Sequence, residues 1–365
     1  MQLCSAFKIT LITMVLTISI PIVLAHHFQL IGDNYSIMQL GSFRGGNSVP
    51  RWINNEGAVA GNSGFLHGGS THAAVWASTG AIRSVGTLPG GEFSTATCIN
   101  SMGQVVGFSN TATSLRAFLW SEAMGVRDLS TLPGDTSSKA FAINDHNQIV
   151  GSSSGPHGTR AFLMTADGAM QSLGTLPGGE FSEAVAINNR GEVVGVSGSE
   201  QGEHAFLWTK EHGMKDLGTL SNDTRSRAMA INDLGQVVGM SSGPKVSRAF
   251  LWTNDGGMRD VGALAGATFS QATAINNFGL VVGSSGNELG SRAFIWANSD
   301  GIRDLNALVS PSVDMVLEGA FGINNRGQIV STGSVTRKLA QERQAHLAHH
   351  AAPALIFVLT PSTNH

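Results

Sequence analysis

The sequence predicts an all-β fold: a seven-bladed β-propeller of about 44-residue repeats, with four-stranded blades and a closing strand donated by the N-terminus. Three observations predict it. First, the dipeptide Ile-Asn recurs at Ile53, Ile99, Ile143, Ile187, Ile231, Ile275 and Ile323, stepping by 44 residues from Ile99 to Ile275 and by 46 and 48 at the two ends. A fixed period in this range marks an array of supersecondary units. Second, each copy holds four short apolar runs separated by Gly, Asn and Asp breakers, the signature of sequential strands rather than helices. Third, the two ends are complementary. A spare fourth-strand pattern, "SIMQLGSF" (36–43), precedes the first copy, and the last copy stops after its third strand, "IFVLT" (356–360). Pairing the two closes a ring and removes the open ends that a linear stack has to cap.

The elements follow in order. Residues 1–25 carry a weakly charged start ending at Lys8, then a largely apolar run to Ala25. This is the pattern of a signal peptide, and the mature chain is expected to begin near His26. Residues 26–361 form one propeller domain. In the copy beginning at Gly174 the four strands are "SEAVAIN", "EVVGVS", "HAFLWT" and "MKDLGTL". Small residues in the first strand, such as Ser94, Ala96 and Cys98, suit the innermost position where blades converge. "NxxG" after it is a tight turn, so the repeated Asn is read as structural. Trp76, Trp120, Trp208, Trp252 and Trp296 recur in the third strand and are read as packing between blades. The seventh copy carries an insertion over 332–353, in which 337–350 has helix-favouring composition.

Composition narrows the function. With 42% apolar and 13% charged residues and a net charge of −3, the 365-residue chain has no basic field for nucleic acid and no polybasic membrane patch. Cleavage of the leader leaves Cys98 as the one cysteine, so no internal disulfide is expected, and a small buried filler is the reading for Cys98. No further membrane span, no cofactor and a monomeric state are expected.

The stretches "RAFLWT" and "HAFLWT", followed by "GMKDLGTL" and "AINNRGEVVG", resemble the extracellular HAF repeat family, whose His-Ala-Phe stretch stands here at His204-Ala205-Phe206. The resemblance covers 36–361, including the "LTP" ending. It implies a secreted or surface-associated bacterial repeat protein without a settled biochemical activity. Some members carry a C-terminal sorting segment. "TPSTNH" does not show one, which makes a released or periplasmic protein the expectation. Four of the His-Ala-Phe sites read Arg-Ala-Phe here, so the His is not a required ligand.

Binding is expected on the face that gathers the variable loops between blades and between strands two and three, because variable loops on a rigid scaffold usually carry recognition. The opposite face, with its "NxxG" turns, reads as uniform. A cation starts the third strand in six copies: His72, Arg116, Arg160, His204, Arg248 and Arg292. Glu92, Asp135, Glu180 and Asp223 stand in the facing loops. The favoured reading is one bracing contact per blade. The sharper one is a cation rim for an acidic glycan or carboxylate. His346, His349 and His350 are a weak metal candidate, since His346 and His350 would share a helical face.

No nucleophile elbow, zinc-protease motif or complete calcium loop occurs. The function read from the sequence is therefore a secreted scaffold binding a glycan or protein. The alternative is a hydrolase or lyase at the channel mouth using His72, His204, Glu92 and Glu180. Near-identical repetition of these positions argues for the scaffold.

Overall fold

The structure, a computed structural model, describes residues 34–43, 46–64, 70–310, 315–335 and 355–362. The leader, most of the 332–353 insertion and His346, His349 and His350 lie outside the described residues. Seven four-stranded antiparallel sheets form the ring. Blades 1 to 6 occupy residues 48–86, 94–128, 137–174, 182–216, 225–260 and 269–304. Blade 7 combines 315–323, 329–335 and 355–361 with the N-terminal strand Tyr35–Leu40. That strand pairs from Tyr35 opposite Pro361 to Leu40 opposite Ile356, as the complementary ends predict. The Tyr35 N–H also donates to the Leu308 carbonyl, 2.7 Å away, tying the closing strand to the end of blade 6.

Blade 4 shows how the repeat builds a blade. Its strands are Ser182–Ile187, Val193–Ser199, Gly202–Thr209 and Gly213–Asp216. The first strand is innermost and carries a bulge between Ala184 and Ala186. Gly195 lies opposite Ala184, where a Cβ would overlap the Glu183 carbonyl oxygen, so glycine is the residue that lets the bulged strand approach. The third strand is sandwiched between neighbouring blades. Hence Ala205 and Phe206 are fully buried, and Phe118, Phe162, Phe250, Phe294 and Phe357 repeat this in other blades. The fourth strand is outermost and keeps Lys215 and Asp216 exposed.

Neighbouring blades are joined by buried serines. The Ser226 hydroxyl of blade 5 accepts from the Ala205 N–H of blade 4 at 2.9 Å and donates to the Gly218 carbonyl at 2.5 Å. Ser241 accepts from the Leu220 N–H at 3.0 Å. The same pairs recur at 44-residue steps, for example Ser182 with Ala161 and Ser197 with Leu176. At the periphery, fourth-strand cations lie over the next blade's tryptophan: the Lys215 ammonium over Trp252 at 5.0 Å and the Arg259 guanidinium over Trp296 at 5.2 Å. The recurrent tryptophans therefore face the junctions between blades.

Candidate functional site: the axial mouth

Each "IN" triplet ends the innermost strand and begins the tight turn. The Asn side chain closes that turn: in blade 4 the Asn188 Oδ1 accepts from the N–H groups of Arg190 and Glu192 at 3.1 and 3.0 Å. Its Nδ2 reaches across to the Asn232 carbonyl of blade 5 at 3.0 Å. The same bond runs from Asn54 to Asn100, Asn144, Asn188, Asn232, Asn276 and Asn324 and returns to Asn54, with distances of 2.9 to 3.3 Å. The Asn is structural as expected, and it is also a link between blades. The side chain satisfies turn donors while completing an unbroken seven-spoke ring about the axis.

The next residue of each turn forms a second ring: Asn55, Ser101, Asp145, Asn189, Asp233, Asn277 and Asn325. Its backbone N–H donates to the following blade's side-chain Oδ1, at 2.9 to 3.0 Å, from Ser101 to Asp145 and onward round to Asn325 and Asn55. One junction differs. Ser101 is too short to present an equivalent oxygen to Asn55, so the ring opens between blades 1 and 2.

These rings enclose a solvent-open depression of about 120 Å³, lined by the Ile-Asn-x triplet of all seven blades and by Trp52. Trp52 stands where the other first strands carry Cys98, Ala142, Ala186, Ala230, Ala274 and Gly322. It is half-buried and packs against the apolar clusters of the blades on either side. Its exposed part supplies the mouth's one aromatic surface among the lining residues.

The mouth is chemically lopsided. On one side the Asn189 Nδ2 lies between Asp145 Oδ2 at 3.2 Å and Asp233 Oδ2 at 3.5 Å, and the Asn277 Nδ2 donates to Asp233 Oδ2 at 2.8 Å. Among the described residues no Lys, Arg or His lines the depression. On the other side Asn325, Asn55 and Ser101 present amide and hydroxyl groups, with Trp52 on the same side in blade 1. The third turn residues surrounding the mouth are Glu56, Met102, His146, Arg190, Leu234, Phe278 and Arg326, and Leu234 and Phe278 are 64% and 61% exposed. The face expected to be uniform thus carries the described concavity and varied turn tips. The Asn-Gly frame hid this because it fixes only two of the four turn positions.

The sequence-predicted rim lies on the opposite face, and its groups are largely engaged in bracing. His204, 5% exposed, pairs its Nδ1 with Asp216 Oδ2 of its own fourth strand at 2.8 Å. Arg292 makes the equivalent pair with Asp304 at 2.6 Å and also donates to the Ala265 carbonyl. Arg248 contacts Asp223 Oδ1 at 3.0 Å and Asp260 Oδ2 at 3.6 Å and donates to the Ser221 carbonyl. Arg160 donates to the carbonyl of Glu180 rather than its carboxylate, and Arg116 donates from Nε to the Ser114 hydroxyl. His72 begins the third strand of blade 1 and is half-buried. The Glu92 and Glu180 side chains are exposed. The acidic partners are thus not in the loops alone, as the sequence suggests, but include Asp216, Asp260 and Asp304 of the fourth strands. The repeated Asp of "GMKDLG" and "GMRDVG" was the available signal. Asp135 and Asp223 do join the loop to a strand, accepting from Ser153 and Ser241 hydroxyls at 2.6 and 2.7 Å.

No protein-family model matches the chain, and no curated protein sequence matches it. Solved structures share its fold. The virginiamycin B lyase of Staphylococcus aureus superimposes with a TM-score of 0.54 at 12% identity, covering 90% of this chain and 99% of that one. A puromycin hydrolase gives 0.55 at 13%, covering 80% of this chain and 51% of the hydrolase. The β-propeller domain of the Trilobed protease from Pyrococcus furiosus gives 0.53 at 10%, covering 81% and 92%. At such identity the likeness establishes the propeller fold and no shared chemistry.

Proposed function

We propose that this chain is an exported recognition propeller of the HAF-repeat type, and that it takes a glycan, or a group presented by a protein, into its axial mouth. One observation carries the reading. The fold asks for seven equal spokes, yet the mouth departs from the repeat at Trp52, Ser101, Asp145 and Asp233. Neither ring closure nor turn geometry requires these departures. An aromatic surface beside amides and carboxylates is the usual make-up of a site for a polar ligand with an apolar face. The hydrolase or lyase alternative draws on fold likeness alone, and its candidate His204 is committed to Asp216.

The test is a glycan array probed with the mature chain, with Trp52→Ala, and with an Arg116→Ala/Arg160→Ala/Arg248→Ala variant. Binding lost with Trp52 and kept in the triple variant supports the axial mouth. Binding kept by Trp52→Ala and lost in the triple variant moves recognition to the loop face. Export rests on the pattern of residues 1–25, and N-terminal sequencing of the exported protein is expected to begin near His26.

A further inference from the structure

Resting on that reading, we infer that the axial mouth selects a sugar bearing a free, protonated amino group. Asp145 and Asp233 stand two blades apart, with Asn189 between them. Each already uses one oxygen to accept a backbone N–H, from Ser101 at 2.9 Å and from Asn189 at 2.9 Å. Their second oxygens meet only amide donors, and no ion pair engages either carboxylate among the described residues. The rest of the lining is Ile, Asn, Ser and Trp. The depression's own lining thus holds two carboxylates and no cation, while of the cationic turn tips around it Arg190 is paired with Glu192 and His146 and Arg326 stand outside the lining, so the floor favours a cation and disfavours uronate or sulfate groups.

The remaining geometry favours a sugar over a bare alkylammonium. Asn55 and Asn325 each use Oδ1 to accept from the preceding blade, while their Nδ2 groups have no acceptor among the described residues. With the Ser101 hydroxyl they form an arc of donors facing the carboxylate arc across the axis. A ligand that fills both arcs carries an ammonium at one edge and oxygen acceptors at the other. A glucosamine-type pyranose does so, and its C–H face suits the Trp52 indole.

The experiment is calorimetric titration of the mature chain with the trimers of glucosamine and N-acetylglucosamine at low salt. The partner variant is Asp145→Asn/Asp233→Asn. Asn already occupies this ring position in four other blades and retains the Oδ1 that the neighbouring N–H requires, so the variant is expected to fold and circular dichroism checks it. The glucosamine trimer is expected to bind at least about tenfold more tightly than its acetylated counterpart, about 1.4 kcal/mol and within reach of one charge-assisted hydrogen bond, and the double variant is expected to erase that difference. Equal, Trp52-dependent binding of both trimers overturns the amino-group selection and leaves glycan recognition standing. Failure of both trimers, or binding unchanged in Trp52→Ala, overturns this inference at the mouth. A preference that survives the double variant also overturns it.

Discussion

Single residues here do several structural tasks at once. Asn188 joins two turn N–H groups, the Glu192 carboxylate and the next blade's carbonyl. Asn188→Ala removes them together and is expected to lower stability by about 2–4 kcal/mol at about 1 kcal/mol per bond, read from urea denaturation. Gly195→Ala forces a Cβ onto the Glu183 carbonyl oxygen, and a loss of more than about 2 kcal/mol is expected by the same measurement. Cys98 is an inert filler, as expected. Burial pushes its thiol from 9.0 up to about 12. In the folded mature chain iodoacetamide at pH 8 is expected to leave it unmodified by mass spectrometry, whereas the urea-unfolded chain reacts. Well below pH 9 the thiol is almost wholly protonated in both states, and near pH 8 the unfolded chain alone holds a reactive thiolate fraction. Between pH 9 and 12 only the unfolded chain releases the proton, so stability from this group falls across that window.

At the scale of strands and loops, the third-strand cations separate into two strengths. Arg248 neutralises Asp223, whose side chain is 2% exposed. Arg248→Ala leaves that carboxylate buried and unpaired, and a cost of about 3–5 kcal/mol in thermal or urea unfolding is expected. Arg160 holds only backbone carbonyls at the surface, so Arg160→Ala is expected to cost about 1 kcal/mol. This ordering distinguishes braces from a ligand rim, because a rim would show near-equal, small effects on folding. The "xAFLWT" third strands and the SxAxA first strands were legible from the sequence, because period, breakers and side-chain size are local properties. Their ion pairs were not, since the relevant Asp lies twelve residues along and meets the cation only when strands three and four adopt their register.

At the scale of the whole molecule, the ring depends on its closing strand. Deleting 34–43 leaves the Leu355–Pro361 edge unpaired and removes the buried Tyr35 and Leu40 side chains. The expected result is a lower Tm and larger species in size-exclusion chromatography, because an exposed edge pairs with other chains. The sequence by itself determined the number of blades, the order of strands within them and the origin of the closing strand. Those follow from a repeat period and from complementary chain ends, both written along the chain. Only the tertiary structure decided where the candidate site lies. The Asn324–Asn54 link spans 270 residues and exists only after closure. Trp52 reads as one more apolar residue in "PRWIN" until the ring forms, although its break with the small residues of the other copies was visible. Closure brings seven equivalent positions around one axis, so that differences scattered 44 residues apart in sequence become the composition of a single mouth.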